Sequence, residues 1–287
     1  IFLIRGGYIR SISSGIYTLL PLAKRVIDKI ENIIREEMNG IDAQEMLMPL
    51  VNSAEIWKES GRYDSVDETL LRFKDRNSKE MVLAMTHEEA VCHMARTEIT
   101  SYKQMPAAVF QIQTKYRDEA RPRAGLIRVR EFTMKDAYSF HADQECLEAY
   151  YETAHQAYEN IFRRVGMNDV LSIESDNGMI GGTCSHEFMA ISDIGEDTIF
   201  VSPDRSYKAN REIAVSALKF KKEEAKELEK VHTPAAKTIE EVSTFLKCAP
   251  EDTAKAVFYG SEDTDKLILV VIRGDIDVNE TKLRNHL

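Results

Sequence analysis

The sequence predicts an α+β fold in which a mostly antiparallel sheet is flanked by helices. Three observations support this class. Stretch 109–141 has the pattern of two strands joined by an Arg- and Pro-containing loop, with polar side chains at alternate positions. Stretches 20–38 and 143–165 carry the start and stop signals of long helices. Several shorter strand patterns follow. The 287 residues suffice for one large domain or two ordinary ones.

Composition and charge narrow the functional classes. The chain is 43% hydrophobic and 30% charged, as in a globular protein, and its net charge is −10. This acidity argues against a non-specific nucleic-acid binder but allows recognition of one structured RNA through a local basic patch. The four cysteines form no CxxC pair, so we expect reduced thiols and no zinc site. No apolar run is long enough for a membrane span, and we expect a cytoplasmic protein.

The N-terminal fifth of the chain predicts a lead, a helix and a strand. Residues 1–10 form an apolar lead and 13–17 a turn. The helix over 20–38 has Pro21 in its first turn and ends at Asn39-Gly40. Its apolar residues recur at helical spacing: Leu22, Val26, Ile27, Ile30, Ile33, Ile34 and Met38. Stretch 43–51 is typical of a strand ending near Pro49. By itself the helix could simply pack on its own core.

The next segment predicts a short helix, a hairpin and a capped helix. Ser53 caps a helix that Gly61 ends. Stretches 70–75 and 80–85 form a hairpin. Thr86 and Glu89 match the capping box of a helix over 87–98. The segment therefore has an ordinary structural explanation, beside any functional one.

The hairpin over 109–141 is the feature around which we expect the rest to be arranged. Alternate residues share a face of a strand, so two polar rows form. These rows are Gln111, Gln113, Lys115, Arg117 and Glu119 in the first strand, and Arg128, Arg130, Phe132, Met134, Asp136 and Tyr138 in the second. If both rows face one cleft, they make a platform of charged, amide and aromatic groups. The alternative is a solvated sheet face with weak surface ion pairs.

The last third predicts a second domain. A helix over 143–165 and strands over 169–174 and 198–202 complete the first domain, which we place at 1–207. Between those strands, glycines in stretch 180–188 suggest close approach of backbone to a ligand. The charge-rich run 219–230 is typical of a solvated helix or linker. A second domain, 208–287, then has a helix over 238–247, strands over 253–259 and 266–272, and a helix from 277.

Several of these motifs together resemble one family. Arg117-x-Glu119, with Arg128, Phe132 and Asp136 at steps of four, resembles motif 2 of the class II aminoacyl-tRNA synthetases. The longer runs 121–126 and 130–141 are similar to prolyl-tRNA synthetases of the bacterial type, and 20–51 resembles motif 1. The resemblance implies the class II catalytic fold and ligation of L-proline to tRNA(Pro) through a prolyl adenylate, with ATP and Mg²⁺. It also implies a homodimer formed through the motif 1 region.

The resemblance also implies which residues bind the substrates. The residues implied to bind ATP are Arg117, Glu119, Arg128, Phe132 and Asp136. Arg117 is also the implied catalytic group, because a planar guanidinium can bridge the carboxylate and the α-phosphate. The residues implied to bind proline are Thr86, Glu88, Arg117, Met134, Tyr138, His141, Gly182, Ser185 and His186. A hydroxyl and a carboxylate can accept the two N–H groups of a secondary ammonium.

Stretch 273–283 resembles part of the editing domain of bacterial prolyl-tRNA synthetases, which hydrolyses tRNA mischarged with alanine. A second site is needed because a pocket for proline cannot strongly exclude a smaller amino acid. The implied editing residues are Lys255, Arg273, Gly274 and Asp275. Ile276 stands where many relatives carry a polar residue, often His. Lys255 could equally be a surface lysine at a strand edge.

The family is longer than these 287 residues, which hold no motif 3 and no anticodon-binding domain. We therefore expect that the chain by itself does not form prolyl adenylate. Two alternatives remain open. One is a related class II synthetase for serine or threonine, which would share motif 2. The other is a non-catalytic synthetase-like protein that binds RNA or a partner.

Overall fold

A computed structural model describes residues 1–178, 182, 184–216, 227–261 and 266–287. The chain divides into two compact units, Ile1–Asn168 and Asp169–Leu287. Each unit mixes helices with antiparallel strand pairs, so the predicted α+β class is confirmed. The domain boundary proposed after residue 207 stays a prediction.

The first unit contains six helices and eight strands in its described residues. The helices are α1 (Phe2–Arg5), α2 (Pro21–Gly40), α3 (Ala54–Glu59), α4 (Arg62–Ser65), α5 (Glu88–Glu98) and α6 (Gln144–Arg164). The strands are β1 (Ile9–Ser13), β2 (Ile16–Leu19), β3 (Gln44–Glu45), β4 (Val51–Ser53), β5 (Arg72–Lys74), β6 (Glu80–Leu83), β7 (Ala107–Tyr116) and β8 (Glu131–Phe140). They form three sheets, with strand orders β1-β2, β3-β7-β8 and β4-β6-β5.

The predicted long hairpin is β7 and β8, paired antiparallel along ten residues each. One face of the hairpin is covered by helix. Phe110 on that face is fully buried with Met38 of α2 and Ala43. Asn160 and Arg164 of α6 bind Glu37 of α2, at 3.2 and 2.7 Å, so the two helices are tied to each other. The other face is left for the polar rows.

Helix α2 begins at Pro21 as predicted, but only part of its apolar stripe is covered. Ala23 and Met38 are buried. The side chains of Leu22, Val26 and Ile30 are 45, 46 and 38% exposed. The helix therefore keeps an apolar surface available to a partner.

A second apolar cluster lies under the sheet β4-β6-β5. Its buried members are Trp57, Val66, Leu70, Val82 and Met85. Ser53 caps α3 by accepting from the Glu55 N–H at 3.3 Å, and Gly61 follows with φ +76°, as the cap pattern predicts. The predicted hairpin 70–85 is also present, as β5 and β6. This cluster supports Met85, the residue just before Thr86.

The turn predicted over 13–17 is confirmed, since Ser14 and Gly15 connect β1 to β2. The apolar lead before it contains α1 and the start of β1. One N-terminal prediction is wrong. Stretch 43–51 is not one strand. It splits into β3 and β4, because the Met48 N–H bonds the Gln111 side chain at 2.9 Å. The Pro49 carbonyl likewise turns aside, accepting from the Asn52 side chain at 2.8 Å.

The second unit combines a four-stranded sheet with a hairpin and two helices. The strands are β9 (Val170–Glu174), β10 (His186–Ala190), β11 (Ile199–Val201), β12 (Lys208–Asn210), β13 (Ala254–Gly260) and β14 (Leu267–Arg273). The helices are α7 (Ile239–Leu246) and α8 (Glu280–His286). The sheet order is β10-β9-β12-β11, with β12 and β9 parallel and the other pairs antiparallel. The predicted helix or linker over 219–230 lies largely outside the described residues.

Candidate active site

The register of the hairpin brings the predicted polar rows onto one face. Gln111 lies opposite Asp136, Gln113 opposite Met134 and Lys115 opposite Phe132. Directly opposed residues of an antiparallel pair share a face. The predicted shared face is therefore confirmed for these positions. Arg117 and Glu119 follow the end of β7, while Arg128 and Arg130 precede β8.

Part of this face is buried rather than open. Gln111 and Lys115 are fully buried and Asp136 is 9% exposed. Asp136 Oδ1 forms an ion pair with Lys115 Nζ at 2.8 Å, and Asp136 Oδ2 accepts from the Gln111 side chain at 2.9 Å. Asp136 therefore has partners within the protein, and its role in binding ATP stays a prediction.

The Thr86–Glu88 segment lies beside the open end of the hairpin. The Tyr116 N–H donates to the Ala84 carbonyl at 3.2 Å, which docks the segment against the last residue of β7. The capping box expected here does not form. The Thr86 hydroxyl instead donates to Glu88 Oε2 at 2.6 Å, and α5 begins at Glu88 without a side-chain cap. Hydroxyl and carboxylate therefore form one paired group.

Arg62 also binds this group, and the sequence pattern gave no sign of it. Its Nη1 donates to Glu88 Oε2 at 3.2 Å and to the buried Glu89 Oε1 at 3.0 Å. Its guanidinium lies 5.2 Å from the Trp57 ring centroid. The side chain of Glu88 remains 34% exposed, so the carboxylate is held in place and still accessible.

Arg117 completes the group at the end of β7. Its Nε donates to the Met85 carbonyl at 3.3 Å, and its guanidinium lies 5.4 Å from the Phe132 ring centroid. Burial lowers the pKa of Arg117, and the Glu88 carboxylate opposes that shift. A partly desolvated cation beside a flat aromatic ring is suited to bind a phosphate next to a base. The structure thus brings Arg117, Phe132, Thr86 and Glu88 together.

The loop between the strands holds Glu119. Arg128 Nε lies 3.0 Å from Glu119 Oε2, and the Arg121 N–H donates to Glu119 Oε1 at 3.2 Å. These two bonds lower the pKa of the Glu119 carboxyl, the Arg128 bond most. Arg130 Nε donates to the Glu119 carbonyl at 3.0 Å. The Glu119 carboxylate therefore stays charged, and its role in binding adenine stays a prediction.

Three of the residues implied to bind proline, Met134, Tyr138 and His141, differ in position. Met134 and Tyr138 lie on the same face of β8 as Phe132. His141 does not. Its Nδ1 lies 3.1 Å from the Cys146 Sγ, and its ring contacts Tyr150 of α6. His141 is thus placed against α6, because it follows the end of β8 and has the opposite parity.

Gly182, Ser185 and His186 belong to the second unit, and their role as proline contacts stays a prediction. The Ser185 carbonyl accepts from the Ser175 N–H at 3.0 Å. Gly182 has φ +102°, which favours glycine, and its carbonyl accepts from Asn177 at 2.6 Å. A cavity of about 410 Å³ lies beside Ser175, Asn177 and Ser185. Gly181, the other glycine of the pair, is outside the described residues.

The predicted editing residues lie at one end of the β13–β14 hairpin. Lys255 Nζ donates to Asp277 Oδ1 at 2.6 Å, and Asp277 was not anticipated from the sequence. Arg273 and Asp275 form a two-bond ion pair. The Gly274 N–H donates to the Thr253 carbonyl at 2.8 Å, and a Cβ there would clash with Thr253 Oγ1 and with the Pro250 carbonyl. Gly274 is therefore required by packing.

A comparison with family models decides the class of the chain. A model described as "tRNA synthetase class II core domain (G, H, P, S and T)" matches residues 71–252. The chain belongs to this class II synthetase family. A second model, "Aminoacyl-tRNA editing domain", matches residues 233–287. The predicted family and the predicted editing segment are both confirmed.

Curated relatives are similar along nearly the whole chain. The chain is 50% identical over 286 residues to the proline–tRNA ligase of Dehalococcoides mccartyi, covering 99% of this chain and 50% of that protein. It is 49% identical over 287 residues to the proline–tRNA ligase of Bacillus subtilis, with the same coverage. The chain therefore spans about half the length of the curated relatives it matches.

Solved structures share the fold. The Giardia lamblia prolyl-tRNA synthetase in complex with prolyl-adenylate superposes with a TM-score of 0.57 at 20% identity, covering 60% of this chain and 36% of that one. The Cryptosporidium parvum prolyl-tRNA synthetase complexed with L-proline and AMP has a TM-score of 0.58 at 15% identity, covering 65% of this chain and 38% of that one.

Within the described part of the chain, no helix has both the length and the apolar character of a membrane span.

Proposed function

We propose that the protein, at the full length its gene encodes, ligates L-proline to tRNA(Pro). The observation that carries the proposal is the grouping of Thr86, Glu88 and Arg117. A carboxylate paired with a hydroxyl in one short segment lies next to the partly desolvated guanidinium of Arg117, at the end of β7. An amino acid has the complementary charges, since its ammonium needs acceptors and its carboxylate needs a cation. The similarity to proline–tRNA ligases supports proline as that amino acid.

The first step joins proline to the α-phosphate of magnesium-bound ATP and releases pyrophosphate. Thr86 and Glu88 accept the two N–H groups of the secondary ammonium. Arg117 bridges the proline carboxylate and the α-phosphate, two anions that repel each other, and stabilises the charge that develops on phosphorus. Mg²⁺ arrives with the phosphates of ATP as part of the substrate. No protein nucleophile is required.

Adenine is held by the loop and the second strand. Phe132 offers a flat face for stacking, and Glu119 accepts from the adenine amino group. Arg128 holds the Glu119 carboxylate and lies 45% exposed, where it can also reach the triphosphate. In the second step the terminal ribose hydroxyl of tRNA(Pro) takes the prolyl group from the adenylate. Met134 and Tyr138 supply apolar surface beside the substrate ring.

The segment that matches the editing-domain model would remove alanine attached in error to tRNA(Pro). Lys255, Arg273, Gly274 and Asp275 lie together at one end of a hairpin, in the segment that the editing-domain model matches. We assign to this segment the hydrolysis of alanyl-tRNA(Pro). The exposed apolar surface of α2 supports a homodimer through the motif 1 region, and the scattered thiols support a cytoplasmic location.

Amino-acid-dependent ATP–pyrophosphate exchange tests the proposal. Proline should support exchange, whereas serine and threonine should not. Glu88→Gln removes the charge that balances the ammonium and should raise the KM for proline about 10- to 100-fold, the loss expected for a hydrogen bond to a charged group. Glu98→Gln, at the exposed end of the same helix, is the matched control. Exchange with serine or threonine would indicate the related synthetases. No exchange with any amino acid would indicate a non-catalytic protein.

A further inference from the structure

His87 lies between the two residues proposed to bind the substrate amine, and its ring is fully buried. Ring Nδ1 faces the Lys115 ammonium, and ring Nε2 lies 3.0 Å from the Pro49 carbonyl. An ammonium can only donate and a carbonyl can only accept. His87 must therefore be neutral, with its proton on Nε2. Burial, followed by the nearby Lys115 charge, lowers the pKa of His87, in agreement with this tautomer.

The backbone of His87 is held as firmly as its ring. The His87 N–H donates to the Tyr138 hydroxyl at 3.2 Å, and that hydroxyl donates to Asp136 Oδ2. Asp136 in turn pairs with Lys115, which returns to the His87 ring. Three hydrogen bonds and the Lys115–Asp136 ion pair therefore link the four residues in a closed ring next to Thr86 and Glu88. The only backbone N–H of that ring belongs to His87.

A buried ionic network of this kind is not needed for stability alone. Well-packed apolar residues of the same volume are often as stable as a buried ion pair. The network instead fixes the orientation of its residues, because a hydrogen bond forms only when its donor points at its acceptor. Because the His87 N–H and both ring nitrogens have partners, the network restricts the orientation of the neighbouring residues Thr86 and Glu88.

We propose that His87, Lys115, Asp136 and Tyr138 are positioning residues that hold the Thr86–Glu88 pair in the geometry that binds the substrate amine. None of the four needs to touch the amine for this role. The inference rests on the proposed function, since it assigns the network to proline affinity. It predicts a selective effect, in which binding of proline weakens while binding of ATP does not.

Three variants test the network with little loss of packing. Tyr138→Phe keeps the aromatic ring and removes only the hydroxyl. His87→Leu keeps the size of the buried side chain and removes both ring bonds, while His87→Gln restores a donor that can reach Pro49. The KM for proline, the KM for ATP and kcat are measured by pyrophosphate exchange on the full-length protein. We expect Tyr138→Phe and His87→Leu to raise the KM for proline about 10- to 100-fold. The KM for ATP should change less than about threefold, and His87→Gln should recover part of the loss.

The control is Phe110→Leu. Phe110 is fully buried and lies in β7, the strand of Lys115, but on the opposite face. It should lower stability without changing the ratio of the two KM values. If His87→Leu does not fold, Tyr138→Phe decides the question. An unchanged KM for proline in Tyr138→Phe, or equal increases for proline and ATP, would overturn the positioning role while leaving the proposed function intact. A wild-type protein without proline-dependent exchange would refute the proposed function, and this inference with it.

Discussion

The buried Lys115–Asp136 pair gives a stability prediction that does not depend on the proposed activity. The ammonium is fully buried and lies 2.8 Å from Asp136 Oδ1. At that distance and an effective dielectric of about 20, the attraction is about 6 kcal/mol, which the cost of burying both charges largely offsets. Removing one partner leaves the other charge buried and unpaired. Lys115→Met and Asp136→Asn should therefore each lower the free energy of unfolding by about 3–5 kcal/mol.

The double variant should lose much less than the sum of the two single losses, because neither charge is then left without its partner. We expect a coupling free energy of about 2–3 kcal/mol. Trp57 is the only tryptophan of the chain and is fully buried in the first unit, so its fluorescence in urea follows that unit. Lys24→Met is the control, since Lys24 forms an exposed pair with Asp28 and its loss should change stability little. Additive losses within about 0.5 kcal/mol would refute a coupled pair.

Three further predictions concern the sites. Arg117→Ala should lower kcat in pyrophosphate exchange by about 10²- to 10³-fold, and Arg117→Lys should recover little because an ammonium lacks the planar fork; activity within about threefold of wild type would exclude the role. Burial holds the pKa of His87 below its ordinary value, so the unfolded state binds the proton first as pH falls below about 6.5. The free energy of unfolding should then fall by up to about 1.4 kcal/mol per pH unit through this residue, and the urea midpoints of wild type and His87→Gln should converge on acidification; parallel curves would contradict this. Lys255→Ala should slow hydrolysis of alanyl-tRNA(Pro) at least about tenfold in a deacylation assay, with Asp277→Asn showing a smaller loss; an unchanged rate would make Lys255 a surface lysine.

The sequence was sufficient to predict the hairpin and its shared polar face, because the alternation in β7 and β8 is long and unambiguous. It also predicted helices α2, α3 and α6 from their caps, since Ser53, Asp143 and the residues at 39–40 are strong local signals. Local patterns of this kind depend on few neighbours. Packing against the rest of the chain did not change these helices.

The errors share a physical cause. Alternation tells which face a side chain takes, but not what covers that face. The pattern therefore predicts that Lys115 and Asp136 share the polar face, but it does not predict that both are buried. Thr86 fits a capping box, yet a partner two residues away competes for its hydroxyl. Arg62 lies 26 residues before Glu88, and no local pattern relates the two.

The central hairpin has a different environment on each side, and this has a consequence for how it pairs during folding. Phe110 fits only the apolar side facing α2, while Gln111 and Lys115 fit only the hydrogen-bonded side. A shift of β7 by one residue would exchange its two faces. The Lys115 ammonium would then be buried among apolar side chains, and the Phe110 ring among polar ones. Both misplacements are costly, so a misaligned hairpin should unzip and pair again rather than persist as a trapped form.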